Sequence, residues 1–118
     1  MQYLLLIYGD ENGWQTMSEE EGRQVMEAYG TYTQELEGSG AMVGGNALQP
    51  TQTATTVRVR NDETLTTDGP FAETKEQLGG FYLIDVKNLD EAVHWAARCP
   101  SALTGSIEVR PTGASVSP

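Results

Sequence analysis

Gln2-Tyr3-Leu4-Leu5-Leu6-Ile7-Tyr8 is the stretch whose reading decides the fold. From Tyr3 to Tyr8 the apolar residues run without a break, where a strand lying against solvent would alternate. A strand of this kind is buried on both faces. Whatever sheet contains it therefore needs cover on both sides.

Outward from this strand, Gly9 to Trp14 reads as a loop of turn residues. Ser18 opens a helix, with Glu21 completing a capping box and Glu19 to Glu21 suiting the positive end of the helix dipole. Val25, Tyr29, Tyr32 and Leu36 follow at helical spacing as one apolar stripe, and Gly38 to Gly40 ends it. Ala41 to Ala47 is a second strand, weakened by Gly44 and Gly45. Thr53 to Arg60 alternates in part, Asn61-Asp62-Glu63 is a turn, and Thr64 to Thr67 returns as a hairpin partner. Phe81 to Val86 is a further strand. Asn88 and Glu91 cap a second helix whose apolar face is Leu89, Ala92, Val93, Ala96 and Cys99, stopped by Pro100. Ser106 to Arg110 is the last strand, and 111–118 reads as a flexible tail.

The pattern is α+β: two strand–helix–strand units with a hairpin inserted between them, which most simply make a ferredoxin-like sandwich over residues 1–110. Both helices then cover one face of the sheet. The doubly apolar first strand still needs cover on the other, and the economical source is a second copy. The expected assembly is a homodimer in which sheet faces sheet, with a ligand cavity between the subunits.

At 118 residues the chain fits one domain, and 38% hydrophobic residues suffice for one modest core. Seven Lys and Arg against seventeen Asp and Glu give a net charge of −10, too acidic for a nucleic-acid surface or an anionic membrane. No apolar run reaches the length of a membrane span, and the opening residues lack the basic start of a signal peptide. Cys99 is the single cysteine, so no intramolecular disulfide and no cysteine cluster for zinc can form. The single His with scattered acids is not a transition-metal set, and Gly44-Gly45 and Gly79-Gly80 fit no phosphate loop. A soluble, cytoplasmic domain with no cofactor is the expectation.

The most punctuated stretch is Asp68-Gly69-Pro70-Phe71 followed by Ala72-Glu73-Thr74-Lys75-Glu76. With Leu4-Leu5-Leu6-Ile7-Tyr8, Ala54-Thr55-Thr56-Val57-Arg58-Val59 and Leu78-Gly79-Gly80-Phe81-Tyr82, it resembles the DGPF branch of the YCII-related (YciI-like) domain family. The resemblance runs from about Gln2 to Arg110. It implies a dimeric α+β barrel of ferredoxin-like subunits. Some distant relatives act on small ring compounds, and genes of this branch often sit beside those of extracytoplasmic-function sigma factors. Members nearer the family's centre resemble one another in a His on the first helix, proposed to work with a carboxylate. In register that position is Tyr29 here, and His94, the only His, does not match. The dyad is not carried over.

Six residues are candidates for a site. Asp68 either holds its Gly-Pro turn through backbone amides or serves as a general base or ligand acceptor at the cavity mouth. Tyr29 and Tyr8 are either core tyrosines with satisfied hydroxyls or a pair that polarises a carbonyl or positions a ring. Phe71 either plugs its loop or lines the ligand. Lys75 either pairs with Glu73 or Glu76 at the surface or holds a substrate carboxylate. Arg58 is either a solvated strand charge or an anion clamp. Asp68 and Tyr29 are the catalytic candidates; Tyr8, Arg58, Phe71 and Lys75 are the ligand-binding ones. Two functions compete: binding or transforming a small ring or carboxylate compound between subunits, and a non-catalytic regulatory module linked to a sigma factor. Under either, nucleic acid is not a direct partner. Electrophoretic mobility of DNA or RNA is expected to be unaltered by the protein at physiological ionic strength, and a salt-sensitive shift would contradict this.

Overall fold

A computed structural model describes residues 1–113. The elements run β1 (Gln2–Gly9), α1 (Glu11–Gln15), α2 (Glu19–Ser39), β2 (Met42–Ala47), a 3-10 turn (Thr51–Thr53), β3 (Thr55–Arg60), β4 (Glu63–Asp68), β5 (Gln77–Asp85), α3 (Leu89–Arg98), a second 3-10 turn (Pro100–Leu103) and β6 (Ser106–Pro111). Four strands form one sheet in the order β2-β5-β1-β6, every neighbour antiparallel. The two central strands, β1 and β5, each open a strand–helix–strand unit. They are also the most apolar, while the edges carry Gly44, Gly45, Glu108 and Arg110. This α+β arrangement is compatible with the ferredoxin-like sandwich.

α2 and α3 start where their caps place them. The Ser18 hydroxyl accepts from the Glu21 amide at 3.1 Å, and the Asn88 side chain accepts from the Glu91 amide at 3.0 Å. α2 ends at Gly40, whose φ of 80° is the left-handed conformation that glycine adopts without strain. Both helices cover one face of the sheet. Tyr3, Leu5 and Ile7 of β1 and Ile84 of β5 meet Tyr32 and Leu36 of α2 and Ala92 and Ala96 of α3. Leu5, Leu36 and Ile84 are fully enclosed, each contributing roughly 1.5–3 kcal/mol relative to exposure.

Some expectations need correction. Gly9 to Trp14 is not a plain loop: the Asp10 carboxylate accepts from the Asn12 amide at 2.9 Å and caps α1. Gly13 within the helix hid it. The Trp14 indole lies over Gly79 so closely that a Cβ there would sit 2.5 Å from the ring. Of the α2 stripe, Tyr32 and Leu36 are buried but Val25 is exposed, because this end of the long helix lies beyond the core. On α3, Ala92, Ala96 and Cys99 face inward while Leu89 and Val93 lie largely in solvent. Small residues let this helix approach the sheet closely, which leaves the larger apolar side chains on its flank. Strand β6 runs one residue past Arg110, and the Thr112 amide donates to the Gln2 carbonyl at 3.1 Å. Residues 114–118 of the expected tail lie outside the described residues.

β3 and β4 pair only with each other, as a separate two-stranded arm. Its tip is a two-residue turn, Asn61-Asp62, with φ of 52° and 62°, the hairpin geometry that Asn and Asp tolerate. The radius of gyration is 16.3 Å, above the roughly 13–14 Å of a rounded domain this size.

Among the described residues, no helix is long and apolar enough to cross a membrane. Leu36→Ala is expected to lower unfolding free energy by about 2–5 kcal/mol, and Val25→Ala by about 1 kcal/mol or less, as read by urea titration.

Candidate functional site

Alternation along β1 divides its apolar run between two faces. Tyr3, Leu5 and Ile7 turn toward the helices; Leu4, Leu6 and Tyr8 turn away and are half-buried. The strand register builds the rest of this open face. Leu4 lies between Leu83 and Arg110, and Leu6 between Phe81 and Glu108. Past a bulge in β5, Tyr8 lies between Leu78 and Ser106. On the far side, Gly44 and Asn46 of β2 stand beside Leu83 and Phe81. The face thus has an apolar centre and one polar side along β6. There the Arg110 guanidinium donates to the Glu108 carboxylate, which pushes the arginine's pKa up. Ser106 donates to Glu76 at 2.8 Å, tying the segment that leads into β5 to the same edge.

The root of the arm sits at one end of this face and is held from both sides. Glu11 of α1 accepts from the Thr51 amide at 2.7 Å and the Thr51 hydroxyl at 2.8 Å, where the chain enters the arm. The Glu11 amide donates to Gln77 at 2.9 Å, and the Gln77 side chain donates to the Thr74 carbonyl at 2.6 Å, where the chain returns. Nothing in the sequence pattern marked Glu11 or Gln77. For Glu108 and Arg110 there was a signal: they alternate with Ile107 and Val109, so the apolar pair must face the helices and the charged pair away.

The six sequence candidates do not meet in one place. Tyr8 is on the open face. Tyr29 is on the helix side, its hydroxyl 2.5 Å from that of Ser101 and 3.6 Å from the Cys99 sulfur. Asp68 ends β4 at the root of the arm, is exposed, and among the described residues its carboxylate makes no hydrogen bond. The turn is held instead by the Gly69 amide, which donates to the Ala54 carbonyl at 2.6 Å, with Gly69 at a φ of 98°. Arg58 lies exposed on the arm. Lys75 is exposed without the expected ion pair, since Glu76 turns to Ser106. Phe71 is no plug: it is 78% exposed. His94 is exposed, as its place on the helix implied, with its ring 5.7 Å from Trp95.

The buried titratable groups lie across the sheet from the open face. Tyr32 donates to the Trp95 carbonyl at 2.7 Å, and Tyr82 and Thr33 share a 2.8 Å bond. Desolvation raises the pKa of Tyr29, Tyr32, Tyr82 and Cys99. A thiol held protonated in this way is a poor nucleophile. Among the described residues, no group of three or more His, Cys, Asp or Glu is arranged to hold a metal ion.

A family model for the YCII-related domain matches residues 1–112. The chain belongs to that family. An uncharacterized protein of Rhizobium meliloti (strain 1021) is 44% identical over 113 residues, which cover 94% of this chain and 91% of that protein. The match takes in both strand–helix–strand units and the whole arm. The YCII-related domain here therefore includes β3 and β4 as part of the unit.

The raised tyrosine and thiol pKa values fix the sign of the alkaline response. A group whose folded pKa lies above its unfolded one gives stability that is whole below the unfolded pKa and lost as pH rises through the folded one. The melting temperature is therefore expected to fall as pH rises above the ordinary thiol and tyrosine values of 9.0 and 10.0. The fall should be shallower in Tyr32→Phe, as measured by thermal scans between neutral and alkaline pH.

Proposed function

We propose that the protein is a homodimeric binding domain in which two open sheet faces meet and enclose a small compound. The observation that carries this reading is the composition of that face. Leu4, Leu6, Phe81 and Leu83 form a contiguous apolar centre left by helices that cover only the other side. Such a centre on a small chain calls for a cover, and an isologous pairing supplies it from the same surface.

The polar side of the face sets the ligand class. Arg110 holds Glu108 within the same strand, so a ligand carboxylate can replace one carboxylate with another on the same guanidinium fork. Tyr8, one strand away, offers a hydroxyl, and the leucines offer a surface for a ring or a short chain. The groups with strongly raised pKa values lie beyond the sheet. This favours binding over proton transfer as the work of the face. Asp68 lies exposed at the root of the arm and Tyr29 on the helix side of the sheet, which supports the binding reading.

Sedimentation equilibrium is expected to give twice the 12.8 kDa chain mass at micromolar concentration. Leu6→Asp should dissociate the dimer, because it places an uncompensated charge in the covered face. Arg110→Gln should keep the dimer and weaken binding of small ring carboxylates about tenfold or more, a loss of charge-assisted pairing. A wild type that stays at the monomer mass would overturn the reading.

A further inference from the structure

We infer that the β3–β4 arm is a dimer clasp, lying against the body of a second copy of this chain through its Val57–Val59 face. This rests on the sheet-facing dimer proposed above and adds the arm to it.

Three observations carry it. First, among the described residues the two strands of the arm pair only with each other. Neither strand contributes to the core cluster, and Val57 and Val59 are each 59% exposed. A free two-stranded hairpin is marginal in water, so an arm built this way needs a surface to lie on. Second, one side of the arm is mostly β-branched, with Asp68 beside Thr55 as its one charge at the root end. Val57 stands beside Thr66 and Val59 beside Thr64, a β-branched face suited to packing, while Arg58 turns to the other side. The Glu11 and Gln77 bonds hold the root, so the arm projects in a set direction.

Third, the open sheet face by itself is small. Four strands about 4.8 Å apart and six to nine residues long give roughly 400–500 Å² in plane. A standard stable interface buries roughly 800 Å² of accessible surface per partner. Each arm offers about 200 Å² more in plane. In a twofold pair every copy buries its own arm and the surface under its partner's arm, which about doubles the in-plane area of the sheet face alone.

The test compares three proteins by sedimentation: wild type, Leu6→Asp, and the double variant Val57→Asp/Val59→Asp. The double variant is expected to weaken dimerisation at least 100-fold while its tryptophan fluorescence and melting curve as a monomer stay those of a folded chain. Amide exchange of residues 55–68 in the wild type, above and below the dimer dissociation constant, is the second measurement. Arm amides should exchange at least tenfold more slowly in the dimer. If Leu6→Asp dissociates the dimer but the double variant pairs within about threefold of wild type, or arm exchange is the same in both states, the clasp is wrong and the sheet pairing stands. If the wild type is monomeric throughout, both are wrong.

Discussion

Everything in this molecule follows from a central strand that is apolar on both sides. β1 places Tyr3, Leu5 and Ile7 against two helices and Leu4, Leu6 and Tyr8 against whatever lies opposite. β5 repeats the division with Ile84 inside and Phe81 and Leu83 outside. The helix side is finished within one chain: its aromatic hydroxyls find partners, and no buried side-chain polar atom among the described residues lacks one. Hydrophobic burial and polar satisfaction agree there, as a single native packing requires. The other side has an apolar centre, a charged edge and, among the described residues, no helix over it.

The elements that local chemistry specifies were legible. Ser18 and Asn88 cap their helices as read, Asn61-Asp62 turns the hairpin, and the unbroken apolar run marks the central strand. What failed depended on distance in space. Val25, Leu89 and Val93 continue an apolar stripe, but helical periodicity gives the direction of a side chain and not whether a neighbour reaches it. Asp68 and Tyr29 are paired as candidates by residue type, and sequence cannot say on which side of a sheet each element lies. α2 keeps Tyr29 with Ser101 on the helix side, while the arm carries Asp68 out into solvent. Phe71 looked like a plug because large apolar residues usually are buried. The pattern that would have found Glu108 and Arg110 was present in β6 and concerns alternation alone.

Charge shapes how two such chains would meet. At −10 each, the copies repel at long range. Added salt shortens that repulsion while leaving contact between apolar faces intact. Association by this route would strengthen as ionic strength rises. Pairing held chiefly by exposed ion pairs would do the opposite. Arg110 and Glu108 satisfy each other within one chain, which lets a charged edge border an apolar interface without an unpaired ion.

The central claim is that the far face of β1 is covered in solution, and methyl resonances report it directly. With a soluble paramagnetic agent added, the Leu4, Leu6 and Leu83 methyls should be shielded nearly as well as those of Leu5, which is fully enclosed in one chain. Strong broadening of Leu4 and Leu6 while Leu5 stays sharp, at concentrations well above micromolar, would show an open face and contradict the account.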